Sequence, residues 1–257
     1  MRIYNRLLSA DEIKRLYELG GTTRVAETIT TNPTLETGLV GHWTMDGNDV
    51  DWSSTTAEIR DRSGQGNHGD AQGGMTTTSV TPGVMGQGMG FDGFTEYAAF
   101  PDDPLDVVND ITVSLWIKPE NNMTENEPFS KYDYAKGWLF DLNDVEECGS
   151  GESMYFGGRS GASNLWSTSG CVNYVLGEWQ HIVGIRNGSI WSIYVNGVLG
   201  SSKEGDSGTL ASAVSMNIGR SPQGGGQLYY AGSLDDVRIY NRALSADEVK
   251  RLYEMGR

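Results

Sequence analysis

Runs of alternating apolar and polar residues, each closed by glycine or asparagine, constrain this chain most. Ile111, Val113, Leu115 and Ile117 alternate with Thr112, Ser114, Trp116 and Lys118. Earlier, Leu39, Gly41, Trp43 and Met45 alternate with Val40, His42 and Thr44. A period of two puts neighbouring side chains on opposite faces of an extended strand, so one row meets a core and the other meets solvent or a second layer. Residues 179–199, WQHIVGIRNGSIWSIYVNGVL, contain Asn187-Gly188 and Asn196-Gly197. Each pair supplies the positive φ angles of a type I′ turn, so this stretch reads as a three-stranded meander. A further strand is expected after Gly224-Gly225-Gly226, and Ser233 to Tyr240 completes the set. The pattern predicts an all-β fold, a jelly-roll sandwich of two antiparallel sheets.

Composition agrees with that reading. Glycine is abundant at 35 residues against 7 prolines in 257, which suits many tight turns. The net charge of −15 repels phosphate backbones, so nucleic acid is not an expected partner. It suits cation binding or an ordinary solvated acidic surface. No apolar run reaches the roughly 18 residues that a membrane span requires, and no membrane insertion is expected. The N-terminus lacks the pattern of a secretion signal, so an exported chain would have carried its signal upstream or lost it. Cys148 and Cys171 lie outside any CxxC motif and no histidines cluster near them, which argues against zinc. They either form one disulfide or both stay reduced; the disulfide is the expectation, because the rest of the chain reads as extracellular or cell-surface.

The ends carry a repeat. RIYNRLLSADEIKRLYELG at 2–20 returns as RIYNRALSADEVKRLYEMG at 238–256, with differences only at Leu7/Ala243, Ile13/Val249 and Leu19/Met255. In each copy a serine, Ser9 or Ser245, precedes Glu12 or Glu248 by three residues, the spacing of a capping box. Ile13, Leu16 and Tyr17, with their counterparts Val249, Leu252 and Tyr253, form an apolar stripe at helical spacing. Gly20 and Gly256 then end the short amphipathic helices expected at both termini. The repeat suggests a tandem array, with residues 1–20 as a tail-like copy, 21–36 as a Thr-rich linker and 37–257 as the sandwich domain. Self-association through residues 1–20, head to tail, is the structural alternative to ligand binding.

Seven segments in order carry a family resemblance. They are Gly38 to Trp43, Asp61 to Gly69 (DRSGQGNHG), Phe91-Asp92-Gly93, Ile111 to Pro119, Trp179-Gln180-His181, Tyr194 to Gly197, and Gly232 to Arg242. Together they resemble the laminin-G-like, concanavalin A-like lectin/glucanase domains of bacterial surface proteins, over residues 38–256. The resemblance implies two curved antiparallel sheets, an extracellular or cell-surface setting, and a carbohydrate or cell-surface protein as ligand. It also implies a structural calcium between the first strand, the Asp61 loop and the last strand. Asp46, Asp61 and Asp235 are then the expected ligands, with backbone oxygen from Asn67 and His68 and with Asp236 alongside. The plainer reading is that these residues cap turns or face solvent. A second acidic cluster, Asp141 to Glu147, could hold an ion too, but it reads more readily as an ordinary exposed loop.

A sugar site needs an aromatic face for the sugar's C–H groups beside polar groups for its hydroxyls. The loop aromatics Tyr132, Tyr134, Trp138, Trp166, Tyr229 and Tyr230 are the candidates for ligand binding. Trp43, Phe91, Trp116, Trp179 and Trp191 read as core. Glucanases of this fold place two Glu and an Asp on one strand as ExDxE or ExDxxE. Neither pattern occurs, Glu204-Gly205-Asp206 being the only ExD, so no catalytic residues are expected.

Overall fold

The computed structural model describes residues 33–257 apart from 55, 57, 103–108, 122–125, 150, 161–164 and 223–227. Residues 1–20, the expected tail-like copy with its helix, and most of the expected linker lie outside the described residues. The chain divides into two compact units, Met1–Glu36 and Thr37–Arg257. The first contributes the short helix α1 (Pro33–Glu36).

The second unit is built from sixteen strands among the described residues. In chain order they begin with β1 (Leu39–Trp43), β2 (Asp70–Gln72), β3 (Val80–Pro82), β4 (Gln87–Asp92), β5 (Tyr97–Phe100), β6 (Ile111–Pro119), β7 (Asn126–Tyr132) and β8 (Gly137–Leu142). They continue with β9 (Ser153–Arg159), β10 (Trp166–Thr168), β11 (Val172–Asn173), β12 (Gln180–Asn187), β13 (Ile190–Val195), β14 (Val198–Glu204), β15 (Met216–Ile218) and β16 (Ala231–Tyr240). Two helices accompany them, α2 (Val145–Cys148) and α3 (Ala246–Met255). The first sheet runs β14-β13-β12-β6-β16-β4-β3, with β1 also pairing β16. The second runs β10-β9-β8-β7-β15-β5-β2, with β11 also pairing β9. All the strand pairs are antiparallel, so this is the two-sheet sandwich that the alternation predicts.

The core lies between the sheets. Ile111, Val113, Leu115 and Ile117 all point into it and are fully buried. From the second sheet Phe129, Phe140 and Phe156 answer them. Each such side chain contributes roughly 1.5–3 kcal/mol of transfer free energy. The meander at 180–204 forms as read, with one difference of turn type. Asn196 (φ 51°) and Gly197 (φ 77°) make the expected type I′ turn. At the other turn Asn187 still pairs with Ile190 as a strand residue, so the loop is Gly188-Ser189. Only its first residue has positive φ (Gly188, 60°), the signature of a type II′ turn, and Asp110 Oδ1 accepts the Gly188 N–H at 2.7 Å.

The other face of the first sheet is covered by α3. Ser245 Oγ accepts the Glu248 N–H, and Glu248 accepts the Ser245 N–H at 2.8 Å, the reciprocal capping box read from the sequence. Arg242 donates to Glu248 at 2.7 Å and fixes the entry to the helix. Val249 and Leu252 are buried against the sheet. Tyr253 stacks on Trp116 at 5.7 Å and lies 6.1 Å from His181. Helix end and sheet approach so closely that a Cβ on Gly256 would fall 2.6 Å from the Trp116 ring. Trp116, read as core, is thus buried in this second layer.

Beneath α3 lies a buried polar row. His42 Nε2 donates to Asp236 Oδ1 at 2.7 Å, and Arg238 also binds Asp236. Burial opposes ionisation of Asp236, but the His42 hydrogen bond and the Arg238 charge outweigh it and hold the carboxyl at about 2. His181 shares a hydrogen bond with Ser114 Oγ at 2.9 Å, and its Nδ1 has no partner. Burial, reinforced by Arg238 and only partly opposed by Asp236, drops its pKa to about 3. The unfolded imidazole titrates near 6.5, so below that pH the unfolded chain takes up a proton that the native chain refuses, and this contribution to stability is lost as pH falls from about 6.5 toward 3. Asp235, raised by burial to about 6, acts oppositely below pH 6. Ring-nitrogen NMR separates the two: the His181 imidazole is expected not to titrate between pH 8 and 5, and a midpoint near 6.5 would contradict its burial.

Candidate functional site

With α3 on the first sheet, the outward face of the second sheet carries a group of aromatic side chains that includes exposed Tyr134 and half-buried Trp166. Strand register decides which residues share it. Tyr132 pairs with Gly137, Gly137 with Arg159, and Arg159 with Trp166, one level across β7, β8, β9 and β10. The next outward level is Ser130, Leu139, Gly157 and Thr168. Because Gly137 and Gly157 offer no side chains, Tyr132 and Trp166 lean together over Leu139, their centroids 5.2 Å apart in an edge contact. Tyr155 meets Trp166 at 6.2 Å. Tyr132, Leu139 and Tyr155 form a small apolar cluster separate from the main core, with Trp166, Cys148 and Cys171 packed against it.

Tyr134 projects from the β7–β8 turn beside this cluster. Asp133 Oδ1 accepts the backbone N–H groups of Ala135 (2.9 Å) and Lys136 (2.7 Å), which closes the turn. Tyr134 takes a left-handed conformation (φ 67°) that a non-glycine residue rarely adopts, and its side chain is 61% exposed. Its carbonyl accepts from Tyr132 Oη and from Arg159 Nη1, each at 3.0 Å. The Arg159 guanidinium also lies 5.8 Å from the Trp166 ring centroid. The result is a shelf of Tyr134 and half-buried Trp166 resting on Tyr132, with a cation at its edge.

A polar support lies behind the shelf. Tyr155 Oη donates to Asp144 Oδ2 at 2.9 Å and lies 3.3 Å from Asp141 Oδ2. Burial, then the charges of Asp141 and Asp144, push this hydroxyl far above the usual tyrosine range, so it stays a donor. Asp144 also caps α2 by accepting from the backbone of Glu146 and Glu147. Glu147 accepts from Thr168 Oγ1 at 2.7 Å, and the expected disulfide Cys148–Cys171 ties α2 to the segment leading into β11.

Of the six aromatics expected to bind, the structure brings together Tyr132, Tyr134 and Trp166. Tyr132, only 6% exposed, supports the rings above it. Two expectations are corrected. Trp138 is 1% exposed and stacks on Phe129 at 5.2 Å, because it belongs to the inward row of β8 with Phe140 and Leu142. Tyr230 is fully buried edge-on to Phe91, so it too is core. Tyr229 stands apart, half-buried, 6.4 Å from Tyr97 in an edge contact. The Arg220 guanidinium sits 3.4 Å over the Tyr97 ring. Arg159, Tyr97 and Arg220 carried no signal in the sequence, since only the folded sheet brings them beside the other rings.

The residues expected to bind metal are distributed as follows. Asp61 is engaged by its own loop and by β1, accepting from His42 N, Ser63 N, Ser63 Oγ and Asn67 N. The Asn67 carbonyl accepts from Trp43 Nε1 at 2.8 Å, and His68 Nδ1 accepts from Asp61 N at 3.0 Å. Asp236 is held by His42 and Arg238. Asp46 and Asp235 grip the β3–β4 turn from two sides. Asp46 Oδ1 accepts from Gln87 N at 2.7 Å, and Asp235 Oδ2 accepts from Val84 N at 2.7 Å and Met85 N at 2.8 Å. Asp235 Oδ1 is buried without a hydrogen-bond partner. Among the described residues no three His, Cys, Asp or Glu side chains group as a metal site.

Comparison with known proteins adds the following. A family model described as the concanavalin A-like lectin/glucanases superfamily matches residues 91–250. Domain 4 of AbnA, a GH43 extracellular arabinanase from Geobacillus stearothermophilus solved with arabinotriose, is 23% identical with a TM-score of 0.62, over 84% of this chain and 98% of that one. The binding domain of Paraclostridial Mosquitocidal Protein 1 is 17% identical with a TM-score of 0.65, over 86% of this chain and 53% of that one. The ligand-binding domain of botulinum neurotoxin serotype D, solved with N-acetylneuraminic acid, is 13% identical with a TM-score of 0.63, over 86% and 51%. This chain thus spans about half of each toxin domain, and at these identities the likeness is one of fold. The search of curated proteins returned no match.

The disulfide is expected to support the shelf by holding α2 behind Tyr155. Reduction should lower unfolding free energy by about 3 kcal/mol for a loop of this length. Denaturant melts with and without reductant measure the loss; equal midpoints would show that the bond supports nothing.

Proposed function

Because this chain belongs to the concanavalin A-like lectin/glucanase superfamily, we propose that residues 37–257 form a non-catalytic module that binds a glycan on the outward face of the second sheet. The observation that carries this reading is the shelf of Tyr134 and Trp166, braced by Tyr132 and edged by Arg159. Exposed rings present apolar faces to the C–H side of a sugar, while Arg159 and the turn backbone offer polar contacts for its hydroxyls. Arabinotriose, the printed ligand of one structural neighbour, is the first sugar to try, with N-acetylneuraminic acid, printed for another, as the charged comparison. An extracellular setting fits the disulfide and the sources of those neighbours. Tyr134→Ala and Trp166→Ala are each expected to weaken glycan binding about tenfold, about 1.4 kcal/mol, in calorimetry with the best ligand from a glycan array. Trp138→Ala should instead lose about 3–5 kcal/mol of stability, as a core truncation. Full binding by both shelf variants would contradict the site, and turnover of the glycan would contradict a non-catalytic module.

A calcium ion belongs to the same reading, narrowed to one end of the sandwich. The free Oδ1 of Asp235, with Asp46 across the β3–β4 turn, suits a hard cation that takes backbone carbonyls as further ligands. Asp61, Asn67, His68 and Asp236 fit less well, because their polar atoms already serve the fold. Calcium at a hundred times its Kd should stabilise the chain by about 2.7 kcal/mol, and Asp235→Asn should abolish that gain. Calorimetry without calcium uptake, together with melting indifferent to EDTA, would remove the ion.

The terminal repeat favours a second reading, an adhesive repeat that associates through residues 1–20. Its side chains match those with which 238–256 covers Trp116 and His181. Light scattering on a chain lacking residues 1–20 distinguishes the readings: association that persists without them counts against the adhesive one.

A further inference from the structure

Resting on the glycan-binding reading, we propose that the site takes a linear, uncharged oligosaccharide several sugars long. Its path runs diagonally across the second sheet, from the Tyr134 and Trp166 shelf to a second platform formed by Tyr97 and Tyr229.

The register puts Tyr97 and Tyr132, one ring from each platform, on one face. Ala99, Asn217 and Ser130 lie on one outward level, since Asn217 pairs with both of the others. β5 and β7 are each antiparallel to β15, so they run in the same direction. Tyr97 stands two residues before Ala99 and Tyr132 two residues after Ser130, so both share the outward parity. Their backbone positions are two strand spacings and four residues apart, a diagonal of roughly 16 Å. A disaccharide on either platform falls short of the other.

The second platform is held in place as the first is. Arg220 lies over Tyr97 at 3.4 Å, and its Nε donates to the Asn217 amide oxygen at 3.1 Å, while the Asn217 amide N–H donates to the Met216 carbonyl at 3.0 Å. Tyr229 meets the Tyr97 ring edge-on and is backed by the Arg220–Tyr229 bridge. Between the platforms the floor carries Ala99, Asn217 and Ser130, with Arg220 leaning over the Tyr97 end from its hydrogen bond to Asn217. The chain's net charge of −15 disfavours polyanions and leaves uncharged sugars as the matching class. Two stacking platforms on one rigid sheet reward a ligand long enough to reach both, because the second contact is intramolecular once the first is made.

The test is calorimetry of the full chain with linear arabinan-, xylan-, glucan-, mannan- and galactan-derived oligosaccharides, each as a disaccharide and a hexasaccharide. For the series that binds, the hexasaccharide is expected to bind at least tenfold more tightly than the disaccharide. Combining Tyr97→Ala with Tyr229→Ala should bring the hexasaccharide down to the disaccharide's affinity, with the fold checked by thermal melting. A hexasaccharide no tighter than the disaccharide, or a gain that survives the double variant, overturns the extended path and leaves the shelf intact. Silence of every sugar at both lengths, and of N-acetylneuraminic acid as well, removes the glycan reading, and the path with it.

Discussion

The apolar layer between the two sheets is the constraint on which the rest depends. Every second residue of β6 is spent on it, as are Phe129, Phe140 and Phe156 across the gap. Period-two alternation then leaves the remaining rows no choice but to face outward. The first sheet sends out Thr112, Ser114 and Trp116, all buried, and α3 exists to cover them. The second sends out Tyr132, Leu139, Tyr155 and Arg159, and no long helix covers that side among the described residues. One face is therefore closed by the chain's own C-terminal helix, while the other keeps aromatic rings at its surface.

Small residues give that open face its form. Gly137 and Gly157 clear the space through which Tyr132 and Trp166 meet. A β-carbon on Gly137 would press within 1.9 Å of the Lys131 carbonyl, at a position where φ is already +112°. Large side chains there would separate the rings and fill the shelf. Around this gap Asp133, Asp144 and the disulfide fix turns and α2, so the rings are positioned before a ligand arrives, which spares ordering entropy on binding.

Much of the fold was legible in the sequence because alternation and capping are local. The β6 row, the Asn196-Gly197 turn and the Ser245–Glu248 box each follow from residues within a few positions of one another. Long-range pairing was not legible in this way. The stretch SKYDYAKGW reads as an aromatic loop, yet it is a strand end, a four-residue turn and a strand start. The parity that restarts at Gly137 puts Trp138 inside and leaves Tyr134 outside. Asp61 to Gly69 has the oxygen and glycine content of a metal loop, but the Asp61 oxygens accept from nearby backbone amides and Ser63, and the Asn67 carbonyl serves Trp43. Whether an acid meets an ion or an amide depends on contacts as distant as those of Asp235 with Val84 and Met85, which composition does not reveal.

The central claim is that ligand is met on the outward face of the second sheet. Its most direct measurement is the map of backbone and Trp side-chain NMR shift changes on adding a saturating oligosaccharide to isotope-labelled protein. Changes concentrated at Tyr134, Arg159 and Trp166, with Trp116 and Tyr253 silent, are the predicted result. Changes centred on Trp116 and Tyr253, or on the β3–β4 turn, would contradict it.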